Sequence, residues 1–403
     1  MHRFKNSELR MSDIPECSDL KKLLAGRTGT CPDDWFLTFR AREALQVAFE
    51  EIRLHLFRSE AVIQPFTCST VAEGVLAGGM VPVYADISMH NLSAAPENIP
   101  FTAKTGAVVV QHTFGMIDSM SMLKAKEKAH AAGAVVIEDC AQCASRMAID
   151  TAGKPVADIS VHSFGLEKMT STYFGAAVWI DPEMDNTDLH DALIRHFSTL
   201  PLSDRRVSRS VPSYLTRIRI LNHLPSSVRR PLRDRWTAKR KFIPGIAPVE
   251  LSGGTLLDPS VPGYEVISRV IDAMKSIDDN ESQRSEAVSI YARAFRDKET
   301  SLAVPSFALD TDQPLLWFPV IADSESAAGH ITSELNAAGY YSSSWGRPLL
   351  FPGVTDTDIF RLGEALNNCP VSKKCSDGII LLPTRVSAED AVRILEIVSG
   401  AVS

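Results

Sequence analysis

Two stretches decide the fold: VVIEDCAQCASRM at residues 135–147 and DISVHSFGLEKMTSTYFGAAVWI at residues 158–180. Each opens on an apolar run of strand length, and each run ends on a polar side chain. Asp139 closes the first and Ser163 the second, and Lys168 follows five residues after Ser163. In an α/β sheet, ligands sit beyond the carboxyl ends of the strands, so these three side chains are expected to converge. A carboxylate for a ring nitrogen, a hydroxyl for a phosphate and an amine for an aldehyde together describe a site for pyridoxal 5'-phosphate.

Outward from this core, strands and helices alternate from about residue 36 to 180. WFLTF (35–39) reads as a strand and REALQVAFEEIRLHLF (42–57) as an amphipathic helix. AVIQPF (61–66) is a strand stopped by proline, TVAEGVLAGG (70–79) a helix closed by glycines, and VPVYADI (81–87) a further strand. AVVVQHTFG (107–115) is a strand running into a polar loop, and SMLKAKEKAHAAG (121–133) is a helix capped by Gly133. Uninterrupted Val/Ile runs between helices predict a sheet buried on both faces, mostly parallel and doubly wound. Beyond about residue 260 the pattern changes. EVISRVIDAMKSIDDNESQRSEAVSIYARAF (265–295) reads as one long helical stretch. LLWFPVIAD (315–323) and DGIILLPT (377–384) read as strands, and SESAAGHITSELNAAGY and AEDAVRILEIVSG as helices, which makes a smaller α+β unit.

Composition narrows the class. The 403 residues are 45% apolar, enough for two cores, and carry a net charge of −7, which argues against a general nucleic-acid binder. The apolar runs fall far short of the roughly 20 residues that span a bilayer, so no membrane insertion is expected. MHRFKNSELR has no apolar segment after its basic residues, which points to a cytoplasmic rather than a secreted chain. Seven cysteines, an odd number, read as reduced thiols. Cys140 and Cys143 form a C-x-x-C without a second pair at ligand spacing, so no metal is expected, and packing behind a strand end is their plain reading. Across residues 201–248, twelve Lys or Arg stand against two Asp and no Glu. This excess would attract an anionic substrate or a partner subunit, or is simply a solvated helical face.

The candidate site residues each have two readings. Lys168 is a nucleophilic amine or an ordinary loop lysine. Asp139, emerging from a buried strand, is the partner of a protonated ring nitrogen or a turn-capping carboxylate. Gln142 contacts a ring face or its phenolic oxygen, or is a turn amide. FRAREAL (39–45) leads a strand into a helix whose free N–H groups suit a phosphate, and Arg42 adds a charged fork. The alternative for Arg42 is a surface pair with Glu43 or Glu50.

Taken in order, these segments resemble the sugar-aminotransferase family of DegT/DnrJ/StrS type. FRAREAL stands where that family has S-G-T-x-A-L. QPFTCST (64–70) matches its proline-centred loop, HTFG (112–115) its His-x-x-Gly turn, EDCAQ (138–142) its E-D-x-A-Q/H, and SFGLEK (163–168) its S-F-x-x-x-K. The resemblance implies the aspartate-aminotransferase-like fold of pyridoxal-phosphate enzymes. It would divide the chain into an N-terminal arm (1–35), a large α/β domain binding the cofactor (36–250) and a small C-terminal α+β domain (251–403). It carries Lys168 over as the Schiff-base lysine and Asp139 as the pyridinium partner, the two catalytic residues. Gln142 becomes a ring contact and Ser163 a phosphate ligand. Ala41 and Arg42 take the place of the phosphate-loop Gly-Thr. Cys68, with Phe66 beside it, falls where an aromatic residue usually stacks on the ring. The turn TSTYFGAA (170–177) lacks the family's acidic residue. Such enzymes are homodimers with a shared active site and move an amino group from an amino acid, usually glutamate, to a keto-sugar, often nucleotide-linked, for polysaccharide, lipopolysaccharide or antibiotic synthesis. A non-sugar ketone or cyclitol, or a non-catalytic regulatory role, are the alternatives. Lys168 stands where the dehydratase branch of the family carries histidine.

Overall fold

The computed structural model describes residues 15–170, 172–297 and 301–402. The first part of the arm expected over 1–35 therefore lies outside the described residues. Seven strands form the main sheet: β1 (Trp35–Thr38), β2 (Glu60–Ile63), β3 (Val81–Tyr84), β4 (Thr105–Gln111), β5 (Val135–Asp139), β6 (Ile159–Ser163) and β7 (Ala176–Ile180). Their order is β1-β7-β6-β5-β4-β2-β3. Only β7 runs against the others, pairing antiparallel with both β6 and β1. The sheet is mostly parallel, as the uninterrupted apolar runs predicted.

Alternate residues of each strand serve opposite faces, so both faces are apolar. Val108, Val110 and Val136 join one core, covered by helices Pro15–Thr28, Ser119–Ala131 and Tyr264–Met274. Ala107, Val109, Val135 and Ile137 join the other, beneath helices Ala41–Leu56, Ser69–Ala77 and Thr187–Thr199. Burying both faces is what the long helix-to-helix crossovers of parallel pairing accomplish. The single reversed strand has a local cause. The chain turns back at the carboxyl end of β6 through residues 164–175 instead of crossing the sheet, and this loop carries Lys168.

A second sheet pairs β8 (Trp317–Ile321) antiparallel with β9 (Ile379–Pro383). Helices Ile277–Asp297, Glu325–Ala337 and Ala388–Val402 supply a third core, which also takes in Phe66, Ile87 and Phe114 from the main body. The long helical stretch expected over 265–295 is two helices, broken at Lys275–Ser276. The first packs on the main sheet's core through Val266, Ile267 and Val270. The second, starting at Ile277, carries Asp278 and Asp279 in its first turn, acids that favour a new helix N-terminus, and Asp278 accepts a 2.6 Å hydrogen bond from Arg27. Among the described residues no helix is long and apolar enough to cross a membrane.

Candidate active site

The strands that run in one direction bring the ends of β1, β4, β5 and β6 to a common edge, and there a cavity of about 440 Å³ opens. Ala41, Arg42, Cys68, Asp139, Gln142, Ser163 and Lys168 all line it. Phe66 does not. Its fully buried ring packs edge-on against Phe114 and Trp345, 6.2 and 5.7 Å away between centroids. Any ring cover on that side falls to Cys68 and to Trp345 and Phe351, which do line the cavity.

Asp139 is the last residue of β5 and only 6% exposed. One carboxylate oxygen accepts from the Ala141 N–H at 2.9 Å, and the other has no hydrogen bond among the described residues. Burial pushes this carboxyl up, while the Ala141 N–H and the charges of Lys168 and His112 pull against it. An added cation beside it would therefore be bound favourably. Its neighbour Glu138 points to the opposite face of the sheet. There it accepts from Nε2 of His112 (2.6 Å), the Ala148 N–H (2.5 Å) and the Ser160 hydroxyl (2.5 Å). Burial opposes both charges, but the pairing holds the Glu138 carboxyl below its usual range and His112 above its own. Cys140 brings its sulfur within 4.8 Å of the pair, the separation of a ligand set. With three donors on its two oxygens, Glu138 is already satisfied, and the cluster reads as a hydrogen-bonded brace under Asp139. Cys140 and Cys143 are both buried free thiols, packed in the core behind the strand end.

Gln142 holds the facing turn: its Oε1 accepts from the Phe114 N–H at 2.5 Å. That turn needs Gly115, whose φ is +88° and where a Cβ would stand 3.0 Å from the Gln142 carbonyl oxygen. On the other side, the loop bearing Lys168 is shaped by left-handed backbone at Glu167 (φ 58°) and Tyr173 (φ 79°). It closes at Gly175, φ +102°, where a Cβ would meet Val266 and Val270 at 3.1 Å. Such strain concentrates at functional loops. Lys168 is half-buried in this loop, facing the same cavity as Asp139.

The far end of the cavity is the N-terminus of helix Ala41–Leu56. Arg40 takes the N-cap position in extended conformation, and no side chain among the described residues caps the first turn. This leaves backbone N–H groups for an anion. The Arg42 guanidinium is differently placed from the sequence expectation. Its Nη1 lies 2.7 Å from Glu250 and 3.5 Å from Glu73, and its Nη2 donates to the Gly245 carbonyl at 2.5 Å. Glu250 also holds Arg40 at 2.7 Å and accepts from the Ala247 N–H at 2.6 Å, while Arg40 pairs with Glu43 at 2.9 Å. Burial pushes the Glu73 carboxyl up to about 7 against the pull of Arg42. Arg42 therefore meets the cavity with its charge already balanced, not as an open fork.

Sequence reasoning missed several lining residues. Gln111, at the end of β4, accepts from Thr67 and donates to Thr113. Tyr214 stacks on Phe242 at 5.3 Å and meets Phe174 edge-on at 5.0 Å. Trp317 and Trp345 reach the cavity from the second unit. Only the position of Gln111 at a strand end could have been read locally.

The donor set fits pyridoxal phosphate. An unspent carboxylate oxygen, an amine and a hydroxyl share one cavity, with an uncapped helix N-terminus for the phosphate.

Residues 40–219 match the model of the DegT/DnrJ/EryC1/StrS aminotransferase family. The chain is 28% identical over 187 residues to the pleiotropic regulatory protein of Geobacillus stearothermophilus, covering 45% of this chain and 48% of that one. It is 32% identical over 129 residues to L-glutamine:2-deoxy-scyllo-inosose aminotransferase of Streptomyces kanamyceticus, covering 30% and 29%. The chain thus spans less than half the length of these curated relatives. Its fold is similar to that of NtdA from Bacillus subtilis, solved with bound cofactor PMP, at a TM-score of 0.68 and 16% identity over 96% of this chain and 77% of that one. The family resemblance is borne out over residues 40–219, and the fold across nearly the whole chain.

Proposed function

We propose, for a chain whose residues 40–219 carry the DegT/DnrJ/EryC1/StrS pattern, that it is a pyridoxal-phosphate-dependent aminotransferase acting on a sugar or cyclitol ketone. The observation that carries this reading is the convergence of Asp139, Ser163 and Lys168 on one cavity from three separate segments. When bound, the cofactor supplies an electron sink for the carbanion formed at the Cα of an amino donor. Asp139 would hold the ring nitrogen protonated, and its brace of Glu138 and His112 keeps it in register. Gln142 would contact the ring. Ser163 and the N–H groups at Ala41 and Arg42 would hold the phosphate. Lys168 would hold the aldehyde in the resting enzyme, then take and return the donor's Cα proton through its amine.

Glutamate or glutamine is the amino donor in this reading, with a keto-sugar, nucleotide-linked, as acceptor. Support for the donor comes from the aminotransferase relative named for L-glutamine and an inosose, a cyclitol ketone. Support for a ring-shaped acceptor comes from the aromatic walls at Tyr173, Tyr214, Trp317 and Trp345, which suit the faces of a saturated ring. A cytoplasmic homodimer is part of the same proposal.

The test is the visible absorbance of the protein with added pyridoxal phosphate, before and after L-glutamate or L-glutamine. A band lost on addition of the donor and restored by a keto acid supports the aminotransferase. Lys168→Ala should abolish both the band and turnover, and undiminished turnover in that variant would sink the assignment. One observation favours a second reading, a cofactor-binding regulatory protein: Glu250 occupies the Arg42 fork at the phosphate end. A cofactor band indifferent to every amino donor would select it.

A further inference from the structure

The basic segment is not spread evenly over a solvated face. A second cleft, of about 560 Å³, is lined by Arg206, Arg209, Arg217, Lys239, Arg240 and Lys241, with Ser210 and Ala238 between them. Three separate pieces of chain supply it: helices Arg205–Ser210 and Tyr214–Asn222, and the turn after helix Ser226–Ala238. Its volume lies within the range of small-molecule sites. The one carboxylate paired with any of the six cations, among the described residues, is Asp204, 3.8 Å from Arg240. Like charges gathered without counter-ions repel one another, and their concave arrangement focuses a positive potential on the cleft.

Arg217 gives a second, independent indication. Its guanidinium lies over the Trp236 ring, 5.8 Å from the centroid, and its Nη1 is shielded from solvent without a hydrogen-bond partner among the described residues. A buried donor of this kind calls for an acceptor. Planar guanidinium forks suit phosphate oxygens in particular, and lysines add point charges.

We propose that this cleft binds an anion bearing two or more phosphate groups, at a site separate from the catalytic cavity. The inference does not rest on the aminotransferase reading, because no cleft residue lines the cavity. The ligand's phosphates would come either from a soluble diphosphate or from an anionic lipid headgroup, and the experiment separates the two.

Isothermal titration of the full chain with pyrophosphate and with inorganic phosphate is the first arm. Pyrophosphate should bind at least about tenfold more tightly than phosphate, since it engages more of the forks. Arg209→Ala combined with Lys241→Ala, both exposed positions, should weaken it about tenfold or more, and Arg217→Gln likewise. Arg229→Ala combined with Arg230→Ala removes the same net charge from helix Ser226–Ala238 outside the cleft, and should change the affinity by less than about twofold. Pyrophosphate should also shift the tryptophan fluorescence of the wild type, and Trp236→Phe should remove that signal. Sedimentation with phosphatidylcholine vesicles containing cardiolipin, whose headgroup carries two phosphates, is the second arm. Retention competed away by pyrophosphate assigns the lipid source. Pyrophosphate binding without retention assigns the soluble one. Equal weakening by both pairs of substitutions, binding that survives the cleft substitutions, or no binding in either arm overturns the proposal.

Discussion

Replacing Glu250 by glutamine should make the protein less stable while making it a better binder of pyridoxal phosphate. The Glu250 side chain is fully buried and holds Arg40 and Arg42 at 2.7 Å each. At an effective dielectric of about 20 each contact is worth about 6 kcal/mol of Coulomb energy, most of it offset by the desolvation of the charges. Breaking a buried pair costs about 3–5 kcal/mol. The lower figure applies here, because Arg40 keeps Glu43 at 2.9 Å and Arg42 keeps Glu73 at 3.5 Å. With an unfolding entropy of about 2.1 cal/mol/K per residue, a loss of about 3 kcal/mol lowers the Tm of a chain this long by about 3–4 °C. At the same time Arg42 is freed toward the cavity. One charge-assisted hydrogen bond to a phosphate contributes about 1.5–3 kcal/mol, or roughly a tenfold to hundredfold lower Kd. Thermal melts and a titration followed by the cofactor's absorbance measure both. A Tm within about 1 °C of wild type, the precision of a melt, would show that the ion pairs contribute nothing. A lower Tm with weaker cofactor binding would show that Glu250 positions Arg42 for the phosphate rather than competing for it.

Two further substitutions probe the ring end and the core. Asp139→Asn preserves shape but removes the charge that would keep the ring nitrogen protonated. Turnover should fall about 100-fold or more with the fold intact, as read by circular dichroism, and a loss under threefold would argue against the pairing. His162 is fully buried with neither ring nitrogen hydrogen-bonded among the described residues, and burial pushes its pKa down to about 4. Between pH 6.5 and 4 the unfolded chain binds this proton and the folded one does not, so stability falls as pH falls through that window. The loss amounts to about 3 kcal/mol at pH 4. His162→Phe, set against the Trp35 ring, should remove this part of the acid sensitivity in urea melts at pH 7 and pH 5, and an unchanged pH slope would refute it.

The two ends of the cavity were unequally legible. At the ring end every determinant is local: a strand-sized apolar run fixes where a side chain emerges, so Asp139 and Ser163 could be placed at a common edge from sequence alone. The phosphate end depends on contacts between distant parts of the chain. Arg42 could be read as a phosphate fork or as a pair for Glu43 or Glu50. Its actual partners are Glu73 and Glu250, and nothing local to Arg42 points to Glu250, 208 positions further along the chain. Phe66 failed for a related reason. Its position beside the proline loop suggested the ring cover, but the second unit brings Trp345 against it and draws it into the core. Gly346 fits there only as glycine, since a Cβ would stand 2.6 Å from the Phe66 ring.

The doublet Glu138-Asp139 shows how much a strand's period of two can decide. Adjacent residues on a strand face opposite sides, so two neighbouring carboxylates meet different environments. Glu138 lies on the face with His112 and Ser160, has three donors, and is held ionised as part of the frame. Asp139 lies on the cavity face with one donor and spare capacity. Exchanging their roles would require a one-residue slip of β5, which would also move Val135 and Ile137 out of one core and Val136 out of the other. The hydrophobic packing of three residues therefore fixes which carboxylate is available for chemistry. A double substitution that swaps the pair, Glu138→Asp with Asp139→Glu, tests this reasoning. The shorter acid at 138 should lose its reach to Nε2 of His112, and the longer one at 139 should crowd the cavity. Cofactor binding and thermal stability should therefore fall together, whereas retention of both would show that the register does not set these roles.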